Sequence, residues 1–173
     1  MIFNKKCTTN ICFKIYGKDI EIVNSYCYLG IIFTPSGSYK SAKKRLFDKS
    51  SKAYFSIRQQ FNFQIGTCPK SCLKLFDSIC KPILLYGSEI WGLYEWRKNE
   101  PKFILKHILS SSSLHEKLHN KVCKNTLGIK KSGTNILARA ELGRYPLALY
   151  IILSVVNFWH HLIQLPQNSL AYK

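Results

Sequence analysis

The sequence predicts an α+β fold that is mostly α: a small antiparallel β-hairpin or sheet edge at the N-terminal end, followed by a helical, thumb-like bundle. Three observations predict it. Apolar residues recur at a period of about two up to Phe33 and at about 3.6 after Gly37. Pro and Gly punctuate the chain at the points where that pattern changes. Of the 173 residues, 46% are hydrophobic and 13% aromatic, enough to build a core although the net charge is +17.

Residues 12–16 (CFKIY) alternate, Gly17-Lys18-Asp19 supplies a turn, and residues 20–23 resume the alternation, which predicts a hairpin. A third apolar run, residues 26–33, stops at Thr34-Pro35-Ser36-Gly37, where Pro and Gly suit a tight turn. A helix is predicted over residues 38–63 with Ser38 as N-cap and Tyr39, Ala42, Leu46, Ala53, Ile57 and Phe61 on one face. Its remaining surface carries Lys40, Lys43, Lys44, Arg45, Lys49, Lys52 and Arg58 against Asp48 alone. Solubility is better served by mixed signs, so this imbalance marks the seven as candidate phosphate contacts.

A second helix is predicted over residues 69–96, with Pro69 in its first turn, a kink at Pro82, and Gly87 admitting a close backbone. Trp91 and Trp96 fall at core spacing rather than as base-stacking platforms. Ser110 to Ser113 is the candidate hinge. Helices over 114–127 and 134–142 end at Gly128 and Gly143. Residues 147–165 are very apolar, but Tyr150, Ser154, Asn157, His161 and Gln164 draw a polar stripe, which predicts a helix sunk in the core with one wet edge. No membrane span is expected there, and neither His160 nor His161 is given a catalytic role. The expected divisions are 1–37, 38–109 and 110–173.

Chemistry is expected to be absent. The nine acids are scattered singly, whereas two-metal phosphoryl transfer needs convergent carboxylates, so no catalytic residue is assigned. The seven cysteines are odd in number and the N-terminal residues lack a signal peptide's apolar stretch, so free thiols in a reducing, intracellular compartment are expected and secretion is not. Cys68, Cys72 and Cys80, with His107, His115 and His119, match no standard zinc spacing; no metal ligand is assigned and no zinc-protease helix is expected.

Four segments in order, SYCYLGIIFTPSGS, KAYFSIRQQF, ICKPILLYGSEIWG and HNKVCKNTLGIKKSGTNILARAELGRYPL, resemble non-LTR (LINE-type) retrotransposon reverse transcriptases, over the end of the palm, the thumb and the following connector. The resemblance implies that Tyr28, Leu29 and Gly30 lie on a primer-grip-like hairpin and that the basic helix grips a template-primer duplex. It implies an RNA-directed DNA polymerase whose metal-binding aspartates precede residue 1, so that this chain alone is inactive. Cofactors are then none in this chain, with Mg²⁺ expected only in the full-length polymerase. The implied partners are an RNA/DNA template-primer and the rest of the polymerase, with no membrane, in the nucleus if functional. A free-standing basic nucleic-acid-binding module and a helical structural or protein-interaction domain are the competing readings.

Overall fold

The computed structural model describes residues 13–60, 68–92 and 113–166. It is an α+β fold, mostly α, with two small antiparallel hairpins before the helices. The chain divides into two compact units, Met1–Arg45 and Leu46–Lys173. The boundary falls inside a helix rather than at Gly37, and the expected break near residue 109 lies outside the described residues.

In the first unit, β1 (Lys14–Ile15) pairs with β2 (Lys18–Asp19), Lys14 opposite Asp19 and Ile15 opposite Lys18. The turn is Tyr16-Gly17, both at positive φ (49° and 75°), not the expected Gly17-Lys18-Asp19. A two-residue hairpin needs left-handed backbone at both central positions, and placing Gly17 second leaves Lys18 free to pair as strand. The third strand expected over 26–33 is instead a second hairpin, β3 (Tyr26–Tyr28) against β4 (Ile31–Phe33). It folds at Leu29-Gly30, again both at positive φ (46° and 83°). The apolar run conceals this turn because Leu29 occupies a position that Asn or Asp would normally signal.

Thr34-Pro35-Ser36-Gly37 turns as expected, Gly37 N–H donating to Thr34 O at 2.9 Å. The Thr34 hydroxyl donates to Ser38 O at 3.1 Å, and Ser38 Oγ accepts from Lys40 N–H at 3.4 Å. That fastens the start of α1 (Lys40–Gln60). Residues 61–63 of the expected helix lie outside the described residues.

The second unit is built around Tyr54, Ile57, Phe76, Cys80, Leu84, Leu118, Val122 and Leu147. The first two come from α1. After α2 (Pro69–Leu75), Phe76 and Cys80 come from a π-helical turn (Phe76–Cys80) and Leu84 from α3 (Lys81–Leu84). The expected perturbation at Pro82 takes the form of that widened turn: Lys81 N–H reaches back five residues to Phe76 O, and Pro82 follows without a donor to lose. Ser50 Oγ donates to Cys80 O at 2.8 Å, which brings a serine onto the buried face of α1.

Gly87, buried and at φ 68°, ends the helical stretch. A close approach occurs at Gly92, where an added Cβ would lie 2.7 Å from Ile151 Cγ2 and 3.1 Å from Val155 Cγ2. Trp91 is fully buried, its Nε1 donating to Tyr86 O at 2.9 Å, so its core assignment holds; Trp96 lies outside the described residues.

Beyond residue 113 the described residues form α4 (Leu114–Thr126), α5 (Asn135–Glu141) and α6 (Leu147–Ile163). Gly128 and Gly143 follow α4 and α5 at positive φ, as expected. The expectation that α6 is sunk in the core is corrected. Only Leu147 and Val155 are buried along it, while Leu153, Trp159 and Ile163 are 56%, 59% and 60% exposed. The polar stripe is wet only in its later part, since Asn157, His161 and Gln164 are exposed whereas Tyr150 packs on the core with Lys81 Nζ 3.3 Å above its ring. Among the described residues no helix is long and apolar enough to cross a membrane.

Gly92→Ala drives a methyl into Ile151 and Val155, and overpacking of this kind costs about 1–3 kcal/mol. Urea unfolding followed by circular dichroism is expected to show that loss. A midpoint unchanged from the parent protein would mean that α6 yields freely at this contact.

Candidate nucleic-acid interface

The helical register of α1 puts Ala42, Leu46, Ser50, Tyr54 and Ile57 on one buried stripe. Lys40, Lys44, Lys49, Lys52 and Arg58 are exposed, and Arg45 is half-buried. The basic residues flank the buried stripe on both sides rather than forming one narrow line. Lys43 differs from the others. It lies beside the stripe, and burial followed by the Lys40 charge lowers its pKa to about 8, which suits it least of the seven to carry charge in alkaline solution.

Within the first unit, Arg45 Nη1 donates to Cys27 Sγ at 3.0 Å, tying the start of α1 to β3. Tyr28, Leu29 and Gly30 are all exposed at the tip of the second hairpin, Tyr28 by 58% and Leu29 by 72%. Two elements of the first unit therefore present side chains outward: a hairpin tip with aromatic and aliphatic groups, and the first basic turns of α1.

Behind the charged surface of the second unit lies a buried polar network that sequence periodicity did not reveal. Glu116 on α4 is 1% exposed. Its Oε2 accepts from Arg139 Nη1 of α5 at 3.1 Å and its Oε1 accepts from Ala148 N–H at the start of α6, also at 3.1 Å. Arg139 Nη1 also donates to Asn120 Oδ1 at 3.1 Å. A second tie, bidentate, joins Arg144 to Asp77 of the π-helical turn. The available signal was Ser113-x-x-Glu116, a capping-box spacing: Ser113 Oγ accepts from Glu116 N–H at 3.2 Å, while the Glu carboxylate turns to tertiary partners instead of back to the cap.

One literal motif corrects the expectation that no zinc-protease helix is present: His115-Glu116-Lys117-Leu118-His119 has the order His-Glu-x-x-His. Its geometry is structural. His115 stacks on Trp91 at 4.8 Å and His119 on Phe76 at 5.7 Å, both buried, and the intervening carboxylate is held by Arg139. Among the described residues no three His, Cys, Asp or Glu side chains converge as a metal site would need.

The cysteines also behave as separate groups. Cys80 and Cys123 are buried, and burial pushes both thiols up to about 11. Cys68 is exposed ahead of α2, where backbone N–H groups of Ser71 and Lys70 lower its pKa.

Comparison with family models, with curated proteins and with solved structures yields no match to this chain.

Burial alone would raise the Glu116 pKa. The nearby His119, with Nδ1 at 3.6 Å, the Ala148 N–H and the Arg139 charge outweigh it and hold the carboxyl below its ordinary 4.5. A carboxyl depressed on folding stabilises the fold above the unfolded pKa, and that contribution is lost as pH falls below 4.5 through the folded value. Glu116→Gln is expected to cost roughly 3 kcal/mol at pH 7, because Arg139 stays buried without its counter-charge. Acid titration of stability should fall less steeply below pH 4.5 in the variant than in the parent. Identical acid profiles would show that folding does not lower the Glu116 pKa.

Proposed function

We propose that this chain is the nucleic-acid-gripping part of a polymerase similar to the non-LTR retrotransposon reverse transcriptases, holding a template-primer duplex through the basic surface of α1 without catalysis of its own. The observation that carries the reading is charge placement on one helix. Lys40, Lys44, Lys49, Lys52 and Arg58 are exposed on α1 with Asp48 as the sole acid among them. Unopposed cations along a rigid rod suit a phosphate backbone, and contact with backbone alone lets a polymerase move over any sequence.

The exposed hairpin tip at Tyr28-Leu29-Gly30 supports the same reading. A projecting two-residue turn, with Gly30 able to approach closely and Tyr28 beside it, suits bracing a primer terminus. The nine acids are scattered singly in the sequence, and this is why catalysis is assigned elsewhere. In this reading Mg²⁺ belongs to the full-length polymerase, and the setting is nuclear.

Lys40→Gln/Lys44→Gln and Lys49→Gln/Lys52→Gln, made as separate pairs, should each weaken duplex binding to a similar degree for unrelated sequences. Each lost phosphate contact is expected to flatten the slope of log affinity against log salt by roughly 0.9 on B-form DNA. If both pairs leave affinity and slope unchanged in a folded protein, α1 is a solvated surface and the reading fails. Template-directed nucleotide incorporation by the chain with Mg²⁺ is expected to be undetectable; incorporation abolished by one Asp substitution would overturn the non-catalytic assignment.

A further inference from the structure

We infer that the second unit holds a separate phosphate-binding pocket, formed by α4 and the loop that follows it. A cavity of about 300 Å³ opens there, near the lower limit for small-ligand sites. Four of its eight lining residues are lysines, and none is acidic. Lys117, Lys121 and Lys124 lie on one side of α4, and Lys131 approaches from the loop. Lys124 Nζ donates to Lys131 O at 2.8 Å, which fastens the loop back against the helix. Lys121 Nζ rests 4.4 Å above the Phe55 ring. Like charges at helical spacing repel one another, and a lining without an acid leaves that repulsion for an anion to relieve.

The second observation concerns Asn120, which lines the same cavity and is 4% exposed. Its Oδ1 accepts from Arg139 Nη1. Because a guanidinium has only donors, this bond fixes which end of the amide is oxygen. Nδ2, with two N–H groups, is left buried and without a hydrogen-bond partner among the described residues. A buried donor with no acceptor is costly and uncommon in a folded protein. Asn120 lines this cavity together with the four lysines, so the acceptor its Nδ2 lacks is an oxyanion drawn in by their charge. Lysine charge beside one fixed amide donor suits a phosphate oxygen better than a flat carboxylate, which a guanidinium fork would hold.

This pocket is independent of the α1 surface and does not need the polymerase reading. The phosphate can belong to a polynucleotide backbone or to a small phosphate such as a nucleotide, and binding measurements separate the two. In ¹⁵N-labelled chain, the Asn120 side-chain amide resonances are followed while inorganic phosphate, or a short oligonucleotide, is added at constant ionic strength. Saturable shifts of these resonances are expected with phosphate. Lys117→Gln/Lys131→Gln, two exposed positions, should weaken the effect by about tenfold or more. Saturation by the oligonucleotide at a concentration of phosphate groups at least about tenfold lower than for inorganic phosphate identifies a polynucleotide backbone. Equal affinities identify a small phosphate. Lys40→Gln/Lys44→Gln should leave the inorganic phosphate titration unchanged, so the pocket and the α1 reading fail separately. No Asn120 shift with either probe, or unchanged affinity in the folded Lys117→Gln/Lys131→Gln variant, overturns the pocket.

Discussion

The second unit depends on a single buried carboxylate. Glu116 sits on α4 and accepts hydrogen bonds from α5 through Arg139 and from the first turn of α6 through Ala148 N–H. The start of α6 makes this necessary: its N-cap is Pro146, which has no side-chain acceptor for the unpaired N–H groups of the first turn. A carboxylate from another helix fills that role and also complements the positive end of the α6 dipole. Removing this charge from water is expensive, and the Arg139 counter-charge with full use of both carboxylate oxygens offsets it. Three helices are thereby fixed in one register by directional bonds, which apolar contacts among Leu118, Val122 and Leu147 alone would not specify.

The Arg144–Asp77 pair extends the same logic to the π-helical turn. It joins the loop after α5 to the segment Phe76–Cys80, where widening has already replaced ordinary helical bonding. The hydrophobic core and these polar ties meet at His119, stacked on Phe76 and 3.6 Å from the Glu116 carboxylate. This placement gives the His-Glu-x-x-His sequence a structural part in the core. The histidines act as flat, buried rings, and the glutamate they flank is already engaged by a guanidinium.

Charge is distributed in two different ways in this protein. On α1 it forms an open surface in which most cations reach solvent and screen easily, suited to sequence-independent contact with an extended polyanion. Around Asn120 four lysines line a partly open cavity beside a fixed amide donor, which suits a single oxyanion. The burial of Lys43 shows the limit of counting charges along a helix, since the same residue type beside the core loses much of its capacity to stay protonated at alkaline pH. The exposed Leu153, Trp159 and Ile163 of α6 show a similar limit for apolar residues.

The sequence by itself determined the class of the fold and most element ends. Turn and cap chemistry is local, so Pro35 and Gly37, Pro69, Gly128 and Gly143 mark boundaries through their own backbone preferences. The buried stripe of α1 was legible for the same reason, because it follows from helical period. The folding of residues 26–33 into a hairpin was not, since Leu29 adopts positive φ only because strand pairing on both sides requires it. Nor could spacing tell that Glu116, Asn120 and Arg139 meet, that Gly92 faces Ile151, or that four lysines and the Asn120 amide share a cavity. These depend on which helix faces come together, and that is decided by packing across the chain, where no single segment carries the information.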